Sequence, residues 1–349
     1  MFMQMSGGAQ ATLSVGIIGA SGYTGAELLR LAAQHPSFDV QVATGDSMAG
    51  RRAADLYPSL AVAYPDLVFS EFDPAVADGL DLVFLGLPHG ASMELAPSLV
   101  ANVGCVVDLS AAFRLRDTAA YPRFYGFEHT QLELLAEAVF GLPELHRDEL
   151  VGARLIATPG CHVTAATLAL RPLVAAGLVD TAGIVVNTLT GITGAGRAPT
   201  DTNVFTNIDS NAVAYGLLAH RHTPEMEQEI GAQVLFTPHL VPMSRGLLAT
   251  CTAPARDACS QVAIDAALES FYVDEPFVAV LDGPPATKSV LGSNAAHVSA
   301  RLDERTGTVI AMCAIDNLTK GASGGAVQAA NVALGLDETA GLSTIGLAP

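Results

Sequence analysis

The run Leu13-Ser14-Val15-Gly16-Ile17-Ile18, followed at once by Gly19-Ala20-Ser21-Gly22-Tyr23-Thr24-Gly25, carries the strongest structural signal in the chain. The first six residues read as a short apolar strand. Good helix formers at helical spacing, Ala26 to Ala33, come directly after the glycines. Strand, glycine loop and helix in that order are the setting in which a loop wraps a dinucleotide pyrophosphate. Glycine permits the tight turn and close backbone approach, and the helix N-terminus offers unpaired N–H groups. The spacing is G-x-x-G-x-x-G rather than G-x-G-x-x-G, so a glycine-rich turn without a ligand is the competing reading.

The residues downstream extend the same pattern. His35-Pro36 ends the helix, and Asp39 to Ala43 reads as a second strand, whose end normally meets the adenine ribose. Here it meets Thr44-Gly45-Asp46-Ser47-Met48-Ala49-Gly50-Arg51-Arg52. Hydroxyls and two arginines suit a 2′-phosphate, which favours NADP. Asp46 suits a free 2′-hydroxyl instead, and an ordinary solvated loop is the third reading. Asp81 to Leu87 is a nearly continuous apolar strand, Ala91 to Leu99 a helix, and Val103 to Asp108 a strand. Loops after such strands form ligand sites, which places His89, Ser110 and Arg114 near cofactor or substrate. For His89, a purely local hydrogen bond is the alternative. Strands alternating with helices indicate a doubly wound α/β fold.

The pattern changes after residue 160. Ile184–Leu189, Gln233–Phe236, Leu247–Thr252, Phe277–Leu281, Ala295–Leu302 and Val309–Ile315 all read as strands, the last two joined by a polar hairpin at Arg301–Gly307. Ala258–Tyr272 is the one clear long helix between them. Clustered strands predict a mostly antiparallel sheet, so the expected class is α/β plus α+β. The organisation that follows is a Rossmann dinucleotide-binding domain over 13–160, a second domain over 161–321, and a helix within 322–349 that returns to the first.

Composition narrows the function. The chain has 349 residues, half of them hydrophobic, and a formal net charge of −18. That argues against nucleic acid or an anionic membrane as partner, since both need basic surfaces. A small anionic substrate stays open, held by local arginines, because Lys288 and Lys320 are the only lysines. Five widely spaced cysteines without a C-x-x-C pair support neither a disulfide framework nor a zinc knuckle, and fit a reducing cytoplasm. Met1 to Gln10 lacks the basic and apolar regions of a signal peptide, and residues 1–12 read as a loose tail. No apolar run reaches membrane-spanning length.

Thr158-Pro159-Gly160-Cys161-His162-Val163-Thr164 joins a strand (Leu155–Ala157) to a helix beginning around Ala165. Cys161 sits at the start of that helix, where unpaired N–H groups and the helix dipole lower a thiol's pKa and favour the nucleophilic thiolate. The alternative is a small buried apolar residue. Three further loops carry chemistry. In Thr190-Gly191-Ile192-Thr193-Gly194-Ala195-Gly196-Arg197, glycines such as Gly194 let backbone approach a ligand, and Arg197 can grip a carboxylate or phosphate or remain solvated. In His220-Arg221-His222-Thr223-Pro224-Glu225, Thr223 reads as N-cap and Pro224 as first helical residue, with both histidines just ahead. Either histidine can act as a general base; metal binding is disfavoured because the pair lacks a third ligand nearby. Asn317, at a strand end, can bind a carboxamide or simply make a turn.

With these stretches in view, the chain resembles the N-acetyl-gamma-glutamyl-phosphate reductase family of the semialdehyde dehydrogenase superfamily. The resemblance rests on GASGYTGAELLRL (19–31), LPHG (87–90), DLSAAFRL (108–115), GLPEL (141–145), TPGC (158–161), GITGAGR (191–197), HRHTPE (220–225), PHLVPMSRGLLATC (238–251), GSN (292–294) and IDNLTKGASGGAVQ (315–328). These span nearly the whole chain in order.

The resemblance implies NADPH-dependent reductive dephosphorylation of N-acetyl-L-glutamyl 5-phosphate to the 5-semialdehyde, in arginine biosynthesis, through a Cys161 thioester. It makes 161–321 the catalytic and dimerisation domain of a cytoplasmic homodimer or homotetramer. His222, with Glu225 to orient a ring, is the favoured proton carrier, and His220 the other candidate. Ser110, Arg114, Gly194 and Arg197 are expected on the substrate. Gly19, Ser21, Gly22, Tyr23, Thr24, Gly25, Ser47, Arg51 and Asn317 are expected on NADP, and no metal is expected. The family commonly has Gly-Cys-Tyr-Pro-Thr where this chain has Gly160-Cys161-His162-Val163-Thr164, and a tyrosine where it has Phe140. His162 can tune the thiol or fill the tyrosine's space. The competing functions are a sibling reductase acting on an aspartyl or carrier-bound aminoadipyl phosphate, and an NADP-binding regulatory protein without catalysis. The HRHTPE stretch disfavours the aspartyl version, the acidic chain lacks the basic docking face a carrier-bound substrate would want, and an intact Cys161 with two nearby histidines disfavours the regulatory protein.

Overall fold

The computed structural model describes residues 12–348; of the expected tail, only Thr12 falls within them. Six strands form the first sheet: β1 (Leu13–Ile18), β2 (Phe38–Ala43), β3 (Leu82–Leu85), β4 (Cys105–Asp108), β5 (Val139–Phe140) and β6 (Leu155–Ala157). Their order is β2-β1-β3-β4-β6-β5, and every pairing is parallel. All residues of β3 and β4 are buried, as unbroken apolar runs in a doubly covered sheet must be. After β1 the chain goes first to one side and then, at β3, to the other. The glycine loop therefore emerges at the switch point, where such sheets open a crevice.

The second sheet contains β7 (Ile184–Thr190), β8 (Val213–Ala214), β9 (Val234–Leu240), β10 (Leu247–Pro254), β11 (Val278–Val280), β12 (Ala296–Asp303) and β13 (Thr308–Ile315). Its order is β11-β12-β13-β10-β7-β9-β8, antiparallel except at β11/β12 and β7/β9. Seven helices among the described residues reach eight residues: α1 (Tyr23–Ala32), α2 (His89–Asn102), α3 (Pro143–Leu150), α4 (Cys161–Ala175), α5 (His222–Ile230), α6 (Gln261–Tyr272) and α7 (Gly324–Ala333). None of the described helices is long and apolar enough to cross a membrane.

The helices sort by core. Val163, Leu168 and Leu170 of α4 pack with Met226 of α5, Leu268 of α6 and the inner residues of β7, β10 and β13. Ala326, Val327, Ala329 and Ala330 of α7 instead pack with Leu28, Leu29, Val107 and Ile156 of the first sheet's layer. The last long helix thus completes the first domain. Polar contacts lock the two halves. Arg245 Nη2 lies 2.7 Å from Glu27 Oε1, and Thr319 Oγ1 donates to the same oxygen at 3.0 Å. Burial alone would raise the Glu27 pKa, but Arg30 and Arg245 hold it down at about 2. Lys320, almost fully buried, pairs with Glu144 of α3. Breaking such a pair leaves an uncompensated charge, a loss of about 3–5 kcal/mol.

Candidate active site

The turn Thr158-Pro159-Gly160 leaves the first sheet and enters α4, the central helix of the second domain, at Cys161. Cys161 is therefore placed at the seam by both cores. Gly160 is the N-cap, in extended conformation and without a side-chain cap. Its N–H donates to Glu225 Oε1 at 2.9 Å. Glu225 Oε2 in turn lies 3.3 Å from Arg114 Nη1, and both side chains are buried. Glu225 was expected to orient a histidine ring; instead it fixes the backbone next to the thiol and holds Arg114. Burial drives its carboxyl above the ordinary range even with Arg114 beside it.

Cys161 is half-buried. The expected depression of its pKa is not what the structure shows. Burial pushes the thiol up, to about 11, against the lowering by the His162 backbone N–H and the cations of Arg114 and Arg221. The helix start acts locally, but desolvation of a thiolate outweighs it. A resting thiol then needs a base. His222, which lines the same cavities, is buried against the preceding residue: a Cβ on Gly160 would lie 2.2 Å from His222 Nε2. Burial, reinforced by neighbouring charges, holds His222 well below the ordinary imidazole value, so it is neutral, and its Nδ1 has no hydrogen-bond partner. α5 begins at His222 with Arg221 as N-cap, so Thr223 is not the cap expected; its N–H bonds to His220 O in the entering turn.

Two cavities meet at Cys161 and His222. One, of about 290 Å3, reaches from them to Gly22, Tyr23 and Thr24 of the glycine loop, with Arg114, Arg197 and Asn317 on its walls. The other, of about 590 Å3, continues past His162, Gly194, Tyr215 and His220. Gly194 and Arg221 line both. Asn317 is a latch as well as a wall: its Oδ1 accepts from Gly246 N–H at 2.8 Å and its Nδ2 donates to Thr193 Oγ1 at 3.0 Å. Ser110, expected on the substrate, lines neither cavity; its hydroxyl donates to Asp108 Oδ2 at 2.7 Å within the loop after β4. His89 Nδ1 accepts from Ala111 N–H at 2.9 Å, and its Nε2 lies 2.7 Å from Arg221 Nη1.

The glycine loop fits a dinucleotide. Gly19 has φ +86°, and a Cβ there would fall 2.4 Å from Gly86 O, while one on Gly25 would fall 2.4 Å from Ala20 Cα. Those two glycines allow close packing. Gly22 is different: a Cβ would meet only Gly19 O, at 3.5 Å. As N-cap of α1 it has no side-chain cap, and the first turn carries no acid, so its N–H end faces open space. Ser21 Oγ donates to Gly45 O at 3.0 Å, tying the loop to the end of β2. Beyond Gly45, Ser47 and Arg51 are at the surface; Arg52 is taken up by Asp55 at 2.8 Å, leaving Arg51 as the freer guanidinium.

Sequence reasoning missed Arg221, Tyr215 and Thr188. Arg221 stood between two singled-out histidines as a cation beside a thiol, a usable signal. His162 Nε2 pairs with Tyr215 Oη at 2.9 Å and its Nδ1 with Thr188 Oγ1 at 2.8 Å. Neither partner is legible locally. The reason given for setting metal aside also fails: His162 brings a third ring to His220 and His222, with one ligand atom of each within 4.8 Å of the others.

A parallel nucleotide sheet whose last strand delivers a cysteine into the helix of an antiparallel domain is the architecture of semialdehyde dehydrogenases. Residues 14–153 match the model of the semialdehyde dehydrogenase NAD binding domain, and residues 161–317 that of its dimerisation domain. Among solved structures, aspartate semialdehyde dehydrogenase II of Vibrio cholerae, complexed with ASA, shares the fold with a TM-score of 0.69 at 17% identity, over 93% of this chain and 98% of that one. Aspartate semialdehyde dehydrogenase with NADP from Candida albicans gives 0.66 at 18% identity, over 92% and 98%. The N-acetyl-gamma-glutamyl-phosphate reductase of Symbiobacterium thermophilum is 46% identical over 96% of this chain and 99% of its own. That of Azotobacter vinelandii is 44% identical over 97% and 100%. The chain belongs to the N-acetyl-gamma-glutamyl-phosphate reductase family.

Proposed function

We propose that this chain reduces N-acetyl-L-glutamyl 5-phosphate to N-acetyl-L-glutamate 5-semialdehyde with release of phosphate, the arginine-biosynthetic step, and that NADPH is the reductant. The observation that carries this reading is Cys161 at the junction of the two cavities, one leading to the glycine loop and the other into the second domain.

The chemistry follows from the neighbours. As the Cys161 sulfur attacks the acyl carbon, its proton passes to the neutral His222 imidazole. The carbon–oxygen bond to phosphate breaks and a thioester remains. Arg197 and Arg114 line the cavity where the leaving phosphate's charge must be met. A bound NADPH supplies the hydride that reduces the thioester carbon. His222 then returns its proton, and cleavage of the carbon–sulfur bond frees the aldehyde and restores the thiol. Gly22, Tyr23 and Thr24, which line the smaller cavity, would hold the pyrophosphate, and Ser47 and Arg51 would take a 2′-phosphate. His220 Nδ1 accepts from the His222 backbone N–H at 3.1 Å, and in this reading it supports His222.

The chain acts as a homo-oligomer in this reading. Exposed Leu189, Val213, Leu217, Leu218 and Leu235, on and around β7, β8 and β9, suit a subunit contact. Five unpaired cysteines suit a cytoplasmic setting. The test is a steady-state assay in reverse, with N-acetyl-glutamate semialdehyde, phosphate and NADP, against aspartate semialdehyde as control. Turnover of the acetylated substrate at least about 100-fold above the control is expected. Preference for aspartate semialdehyde would overturn the substrate assignment.

A further inference from the structure

The cavity on the second-domain side of Cys161 holds three histidines that the reaction does not need together. His162 and His222 are buried and His220 is half-buried. Ring centroids are 5.5 Å apart for His162 and His220, 5.4 Å for His162 and His222, and 4.7 Å for His220 and His222. A tetrahedral ion with Zn–N bonds of about 2.0–2.1 Å would place its imidazole centroids about 5 Å apart. The buried Nδ1 of His222 lacks any partner. His162, the first residue after Cys161, supplies the third ring.

We propose that His162, His220 and His222 bind one Zn2+ ion, and that its binding silences the enzyme reversibly. Imidazole nitrogens suit zinc, whereas magnesium and calcium want oxygen ligands. Metal-binding histidines must be neutral, and burial holds His162 at about 3 and His220 at about 4. Thr188 Oγ1 is placed to accept from His162 Nδ1–H, the outer contact that orients a ligating ring. One hydrogen bond is exchanged for a metal bond, that of Tyr215 Oη with His162 Nε2. Arg221 opposes the cation, but it is solvent-exposed and screened. Three protein ligands leave a fourth position open to the cavity. The silencing rests on the proposed role of His222, because the ion occupies the imidazole that would take the Cys161 proton; the binding does not.

The test uses the full-length protein stripped with chelator. Zn2+ uptake is counted by equilibrium dialysis, Co2+ is added as a visible-absorbing probe, and turnover is followed with and without Zn2+. One equivalent of metal, an intense tetrahedral Co2+ spectrum, and inhibition reversed by chelator are expected. His162→Tyr, which removes one ligating ring and keeps an aromatic in its place, should lose at least about 100-fold in Zn2+ affinity by equilibrium dialysis. His162→Gln gives the same reading should the tyrosine variant fold poorly. No bound equivalent in the wild type, or unchanged Zn2+ affinity in the folded variants, overturns the proposal. One bound equivalent in an enzyme that never turns over leaves the site standing and removes the proposed function.

Discussion

The imidazole of His222 occupies the space a side chain on Gly160 would need: a Cβ there would lie 2.2 Å from Nε2 and 2.4 Å from Cε1. The residue before Cys161 is therefore a seat for His222, the proposed base. Gly160→Ala should displace His222 and lower kcat by at least about 100-fold, the scale of a lost general base. Cofactor affinity should be unchanged, because the glycine loop is untouched. Fluorescence titration with NADPH beside steady-state kinetics checks both halves; an alanine variant with normal kcat would show that His222 does not serve Cys161.

Cys161→Ser removes the sulfur while keeping shape. Loss of about 10⁴-fold or more in turnover is expected, with no covalent acyl adduct by mass spectrometry and intact NADPH binding. Normal turnover would reassign the nucleophile.

Arg51 is the guanidinium beyond β2 not taken up by an acid. Arg51→Ala should raise KM for NADPH about 10- to 100-fold, the loss of a charge-assisted contact of about 1.5–3 kcal/mol. KM for NADH should hardly move. Equal effects on both cofactors would remove the 2′-phosphate contact.

Acid should loosen the fold through the same histidines that form the site. Folded-state pKa values of about 3 for His162 and about 4 for His220, with His222 also depressed, lie below the ordinary 6.5. The unfolded chain then binds more protons, so stability is full above 6.5 and falls as pH drops toward 4. Each buried neutral histidine contributes a slope of about 1.4 kcal/mol per pH unit. Glu27, held at about 2 against an ordinary 4.5, adds a further loss below pH 4.5. Urea midpoints between pH 7 and 4.5 measure this; a flat profile would mean that these rings are not buried neutral.

Most of the architecture is legible where signals are local. The glycine loop between apolar strand and helix, and the clustered strands after residue 183, each declare themselves by period and composition. β8 does not, because two exposed residues at a sheet edge carry no period. The start of α5 was misplaced because Thr223-Pro224 imitates a cap while the chain is already helical at His222. In the site, Cys161, His222, Arg114 and Arg197 line one cavity. What stayed hidden is long-range: Glu225 meets Gly160 and Arg114 across 65 and 111 residues. The direction of the thiol shift was hidden for the same reason, since burial is a property of the assembled seam and not of one helix start. The GLPEL and IDNLTKG stretches likewise find their reason in a buried Lys320–Glu144 pair that no window of sequence contains.

The membership of α7 in the first domain's core bears on how the molecule is made. A ribosome would release β1 through β6 long before the helix that covers part of them, so the nucleotide-binding layer waits, with apolar surface such as Leu29 and Ile156 uncovered, until the whole second domain has emerged. Maturation of the cofactor crevice is thereby tied to the end of synthesis. A nascent chain stalled anywhere before Ala326 would present an unfinished, adhesive half instead of a partly working enzyme.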